Sequence, residues 1–163
     1  MAKKKEEKTN VMRTLEQKKI PYTAYIYPHE DGLAVDGETV AKLLGQNPGQ
    51  VFKTLVTRGA GGGYYVFDIP VAETLDLKKA AKSVGEKSIA MLPAKELLPL
   101  TGYVHGGCSP VGMKKQFPTV FHETVEIIDT IMVSAGKIGC QVQCEPAALM
   151  ELLDARAADI VVE

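Results

Sequence analysis

The sequence lacks any long hydrophobic run. No segment approaches the ~18 unbroken apolar residues of a membrane span, and the first ten residues, MAKKKEEKTN, carry both signs of charge with no apolar stretch behind them. Neither a membrane span nor a secretory leader is expected, and a cytoplasmic protein is. Cysteine is scarce and odd in number: Cys108, Cys140 and Cys144 form neither a C-x-x-C pair nor a disulfide framework, which fits a reducing compartment. Excess charge is missing too. With 19 basic against 20 acidic residues and a formal net charge of −1, no global positive field draws in nucleic acid, so DNA binding is not expected and any contact with RNA must use local patches. No G-x-x-x-x-G-K-[ST] phosphate loop occurs. His29, His105 and His122 are scattered and Cys140-x3-Cys144 lacks the paired spacing of a zinc site, so no metal and no cofactor are expected.

What is present is an ordinary globular mixture, 45% hydrophobic and 24% charged over 163 residues, the size of one domain. A flexible tail over residues 1–9 and one domain over 10–163 are expected. Thr9 or Asn10 can cap a helix carrying Val11, Met12 and Leu15, ended by Pro21. Tyr22 to Tyr27 reads as a strand, Pro28 to Gly37 as a turn-rich loop, and Glu38 to Leu44 as a short helix. VFKTLVT (51–57) and YYVFDIP (64–70) read as strands of a hairpin joined by RGAGGG. Asp76 to Val84 is helical with Gly85 as its stop, Ser88 to Leu92 extended, and Pro93 opens a helix to Leu98. TIMVSAGKIGCQVQC predicts two strands turning at Ser134-Ala135-Gly136-Lys137. Glu145-Pro146 opens a last helix to Leu153, and ADIVV is placed to close the sheet. Without regular βαβ spacing, the pattern predicts an α+β domain with a mixed sheet, partly barrel-like and surrounded by helices.

Three stretches carry chemistry. Lys53 stands in an apolar strand, where alternation puts Val51, Lys53 and Leu55 on one face and Phe52 and Thr54 on the other. Its ammonium either snorkels to water at an edge or meets an anion in a cleft. GYVHGGCSPVGMKK (102–115) is rich in glycine, and Gly106, Gly107, Cys108, Ser109 and Pro110 could present backbone N–H groups to an anion or carbonyl, or form a plain connection. His105 and Cys108 evoke a nucleophile pair, but nothing fixes their geometry or supplies an orienting third group. SAGKIG (134–139) is a small-residue loop in which Ser134 and Gly136 can form a second wall of a site or simply a turn. Lys114-Lys115 is a basic pair able to meet phosphate or water.

Together, VFKTLV, GYVHGGCSPVGMKK with its Gly106-x-x-x-Pro110 core, and SAGKIG resemble the YbaK/EbsC family of Cys-tRNA(Pro) deacylases, related to the editing domain of bacterial prolyl-tRNA synthetases. The likeness runs in one order from about Asn10 to the last helix. It implies a trans-editing enzyme that removes cysteine from tRNA(Pro), with Cys-tRNA(Cys) as a second substrate, acting on the tRNA 3′ end; the lack of basic excess, which leaves little nonspecific hold on RNA, makes prolyl-tRNA synthetase a candidate partner. The resemblance makes Lys53 the essential lysine, Gly106 to Pro110 the loop around the aminoacyl end, and Tyr27, Thr54, Ser134 and Gly136 pocket residues. Gln141 falls where some relatives have an acidic residue. The implied mechanism is substrate-assisted, the cysteinyl thiol attacking its own ester and leaving as a thiolactone. A different aminoacyl specificity, such as alanine, and a non-catalytic tRNA- or synthetase-binding module are the alternatives.

Overall fold

The structure is a computed structural model that describes residues 8–163. Residues 1–7 of the expected tail lie outside the described residues, whereas Lys8 and Thr9 both engage the first helix. That helix, α1 (Asn10–Gln17), begins where the Thr9 hydroxyl accepts the Met12 amide at 3.2 Å, and it buries Val11, Met12 and Leu15 at helical spacing.

Among the described residues the strands form two open sheets. One is antiparallel, in the order β1 (Tyr22–Ile26), β7 (Cys140–Cys144), β6 (Ile131–Lys137). The other runs β4 (Ile89–Met91), β2 (Phe52–Gly59), β3 (Tyr64–Pro70), β5 (Thr119–His122), β8 (Arg156–Ala158). In it β2 pairs antiparallel with β3 and β4, while β3–β5 and β5–β8 are parallel. The mixed α+β architecture is thus the expected one, with a correction: the sheets do not close into a barrel. Among the described residues, a parallel bridge between Val51 and Met132 links them.

Among the described residues, four more α-helices pack around the sheets: α2 (Gly37–Leu43), α3 (Leu77–Val84), α4 (Ala94–Thr101) and α5 (Pro146–Leu153). α3 starts where the Asp76 carboxylate accepts the Lys78 and Lys79 amides, and it stops at Gly85, whose φ of 75° a side chain would resist. Strand alternation divides the core. Phe52, Val56, Val66 and Phe121 join α1, β6, β7 and α5 in the larger cluster, and Phe67, Ile69 and Val120 turn to α3 in the smaller one.

Three local expectations are corrected. The β6–β7 reversal falls at Ile138-Gly139; strand β6 continues through Ser134 to Lys137 with a register shift that Gly136 absorbs at φ 96°. The small residues that mark a turn in the sequence here mark a bulge. The sheet is closed by Arg156–Ala158, and of ADIVV only Ala158 lies in that strand while Val161 makes one isolated bridge to Leu75. Strand β5 was not expected at all. Its four residues are buried on both faces, so TVFH shows no alternation to read.

Candidate active site

A cavity of about 690 Å³ opens where the two sheets diverge. β4 covers β2 only at Thr57, Arg58 and Gly59, so the Phe52–Leu55 half of β2 has no partner strand from its own sheet on that side. The Val51–Met132 bridge brings β6 across the gap at one end. The walls are the first half of β2, Val133 and Ser134 of β6, Gln141 of β7, the segment leading into α2, the β4–α4 connection, and His105, Gly106 and Cys108 of the irregular loop.

Of the residues expected at a site, Lys53, Thr54, Tyr27, Gly106, Cys108 and Ser134 all line this cavity. Lys53 is half-buried and makes no hydrogen bond or ion pair among the described residues. A half-buried ammonium without a carboxylate partner among the described residues either extends its head to water or is open to an anionic ligand. Thr54 stands directly across from Asp68 in the β2–β3 register, and its hydroxyl donates to Asp68 Oδ1. The Ser134 hydroxyl oxygen accepts the Gly136 amide at 3.1 Å, which leaves its own proton to donate. The cavity therefore has one hydroxyl committed as acceptor to the backbone and another committed as donor to a carboxylate. Tyr27 is nearly buried, and burial raises its phenol above the ordinary value against the opposing pull of the Gly139 amide.

Gly107, Ser109, Pro110 and Gly136 do not line the cavity. Ser109 and Pro110 are buried within the loop, where the Ser109 hydroxyl accepts the Val111 amide. A Cβ on Gly107 would lie 3.0 Å from the Ile138 amide nitrogen and 3.0 Å from Lys137 Cα, so that glycine lets the loop lie against the β6–β7 turn. Gly106 has φ 85°, and a Cβ there would collide with the Ala34 methyl and come 3.1 Å from Ala34 Cα. Both glycines serve close approach of loop to loop.

The His105–Cys108 nucleophile pair does not form: no hydrogen bond joins them among the described residues, and burial, with Asp68 adding to it, pushes the Cys108 thiol up to about 12. A thiol so poorly ionised is a weak nucleophile at neutral pH. Among the described residues no group of three His, Cys, Asp or Glu side chains is arranged to hold a metal ion.

Sequence reasoning missed two polar features. Asp68 is fully buried (0% exposed) behind Thr54, with Oδ2 unpartnered among the described residues, and desolvation raises its carboxyl to about 8 although the Thr54 hydroxyl opposes the shift. The signal for it was an aspartate amid YYVFDIP. Gln46 Nε2 donates to Gln141 Oε1, tying the loop after α2 to the cavity wall. Nothing in the spacing of these glutamines, 95 positions apart, announces the pair.

Residues 31–152 match the family described as the aminoacyl-tRNA editing domain. A protein of Enterococcus faecalis (strain ATCC 700802 / V583) named as a Cys-tRNA(Pro)/Cys-tRNA(Cys) deacylase, EbsC, is 49% identical over 162 residues, covering 98% of each chain. A solved structure described as a trans-editing enzyme for prolyl tRNA synthetase superposes with a TM-score of 0.79 at 25% identity, over 94% of this chain and 95% of that one. A hypothetical protein at 22% identity shares the fold with a TM-score of 0.82, over 93% of this chain and 99% of that one. With its cavity between divergent sheets and a family match spanning most of its length, the chain belongs to the aminoacyl-tRNA editing domain family.

Proposed function

We propose that the protein is a trans-editing deacylase that removes cysteine from tRNA(Pro) and from tRNA(Cys). The observation that carries this reading is a cavity with an unpaired lysine and two oriented hydroxyls in which, among the described residues, the one thiol of the wall is neither ionised nor paired with His105. Hydrolases that attack through the protein need an ionised or base-coupled group. Here the attacking sulfur belongs to the substrate.

In this mechanism the cysteinyl thiol attacks its own ester carbonyl, closes a thiolactone, and releases the ribose 3′ oxygen. The protein supplies orientation and electrostatic stabilisation. Lys53 holds the anionic tRNA 3′ end, since a compact ammonium is suited to phosphate. Ser134, with its proton free, donates toward the ester oxygen. Gly106 and Cys108 shape the wall around the aminoacyl group, and Tyr27 closes its far side; Gly107, Ser109, Pro110 and Gly136 hold those walls in place from behind.

The near-zero net charge gives the domain little nonspecific hold on RNA, which favours recruitment to a synthetase as the source of local substrate. Prolyl-tRNA synthetase is the proposed partner.

The test is a deacylation panel with Cys-tRNA(Pro), Cys-tRNA(Cys), Ala-tRNA(Pro) and Ser-charged tRNA. Turnover of the cysteinyl esters alone, beyond one equivalent, supports the reading. Equal cleavage of the alanyl or seryl ester contradicts substrate-assisted attack, and a single equivalent of product indicates a binding module. Lys53→Ala should lower turnover about 100-fold or more with the fold intact, and unchanged turnover removes the lysine from the mechanism.

A further inference from the structure

The carboxyl group of Asp68 is an expensive feature to place inside a strand. It sits on β3 with Phe121 of β5 opposite on one side and Thr54 of β2 on the other, on the core-facing side of the sheet. The titratable group that interacts with it is the thiol of Cys108, from the loop above; Thr54 and Phe121, its cross-strand neighbours, carry no charge. No described residue pairs with Oδ2. A carboxyl with a free oxygen, one hydrogen bond from a side chain in the cavity wall, is more than a structural filler: Val or Leu would pack there without a desolvation penalty.

We propose that Asp68 is a positioning residue for the reaction: through Thr54 it receives the proton that the substrate's thiol gives up. This rests on the deacylase reading. The Thr54 O–H already points at Asp68 Oδ1, so the lone pairs of Thr54 Oγ1 are what it offers the cavity. When the substrate S–H bond breaks, its proton passes to Thr54 Oγ1 as the Thr54 proton passes to Asp68 Oδ1. The freed sulfur electron pair forms the S–C bond at the ester carbonyl. On collapse the C–O bond to the ribose breaks, and the borrowed proton returns along the same path to the ribose oxygen. Protons and charge balance, and no other reactant is needed.

Burial suits the carboxyl to this task. Raised to about 8, it lies close to the ~8.5 of an ordinary thiol, so the transfer is nearly level in energy. Its ordinary value near 4 would make it a poor acceptor for a thiol proton.

The experiment measures kcat and KM for Cys-tRNA(Pro) from pH 6 to 9 with the wild type, Asp68→Asn, Thr54→Val, Thr54→Ser and the Asp68→Asn/Thr54→Val double variant. The wild-type kcat should rise with pH through a midpoint near pH 8. Asp68→Asn, which keeps shape and loses basicity, should lower kcat about 100-fold at nearly unchanged KM, without the inflection near pH 8. Thr54→Val should do the same and Thr54→Ser should restore activity. The double variant should be no worse than either single one. A wild-type kcat and pH profile in Asp68→Asn, additive losses in the double variant, or a Thr54→Ser as slow as Thr54→Val would overturn the inference while leaving deacylation standing. A wild type that leaves Cys-tRNA(Pro) intact removes both. Circular dichroism and thermal melting of each variant separate a lost relay from a lost fold.

Discussion

Replacing Gly106 by alanine tests how the cavity is walled. The backbone cost comes first: φ is 85°, and holding an L residue in that left-handed region costs about 1–2 kcal/mol. The second cost is steric. The new methyl would overlap Ala34 Cβ and lie 3.1 Å from Ala34 Cα, so the segment leading into α2 must move, at about 1–3 kcal/mol. Gly62 is the internal control. It has φ 93° but open space around it, so Gly62→Ala bears only the first cost. In a chain of this size each kcal/mol lowers Tm by roughly 2–4 °C, giving a loss of about 2–8 °C for Gly62→Ala and markedly more for Gly106→Ala. Thermal melts measure both. The displaced segment carries Ala34, Val35 and Asp36 of the cavity wall, so Gly106→Ala should also raise KM for the aminoacyl-tRNA whereas Gly62→Ala leaves it unchanged. Adding Ala34→Gly to Gly106→Ala should recover part of the lost stability by removing the methyl that collides. The reasoning is refuted if the two glycine variants melt alike and Ala34→Gly restores nothing.

Other outcomes follow from the same geometry. Asp68 binds its proton more tightly folded than unfolded, so its contribution to stability is greatest below the unfolded value near 4, declines as pH rises, and is gone above about 8. Urea unfolding at pH 5 and pH 8 should show wild-type stability falling across that window and a flatter profile for Asp68→Asn; an unchanged slope contradicts the assigned burial. Asp76→Ala removes the acceptor for two amides at the start of α3 and should cost about 1 kcal/mol, read as a shift in the urea midpoint with deacylation intact. Cys108, raised to about 12, and Cys144, raised to about 11, should react with iodoacetamide at pH 7.5 far more slowly in the folded protein than in urea. Rapid native labelling of Cys108 would mean that the loop opens.

Legibility in the sequence followed the physics of each element. The β2–β3 hairpin and α3 were readable because alternation, a capping aspartate and a terminal glycine act within a few residues. Lys53 stood out as a charge in an apolar strand. The β6–β7 turn was displaced because Ser134 and Gly136 have the composition of a turn whether they form one or bulge a strand. Strand β5 was invisible because burial on both faces erases period two. The deeper polar layer was hidden for another reason: Thr54 with Asp68, and Gln46 with Gln141, are pairings across space, and the local pattern around either member does not encode its partner. The glycines of the irregular loop suit either ligand-facing backbone or a plain connection, and composition alone does not separate the two. Of these glycines, Gly106 lines the cavity and Gly107 instead serves contact between loops.

The hairpin register has a further consequence. Lys53 and Thr54 are adjacent on one strand and face opposite sides of it, so both assignments depend on a single alignment, Lys53 with Ile69 and Thr54 with Asp68. That alignment is set at the glycine-rich tip, where the Gly59 amide reaches the Gly63 carbonyl at 2.7 Å. One residue gained or lost inside either strand would exchange the roles of the two faces, burying the ammonium and expelling the hydroxyl from its carboxyl. The length of each strand is therefore a chemical parameter of the enzyme, and insertions should be tolerated within the tip, residues 60–63, and in neither strand between the tip and the Lys53–Ile69 pair.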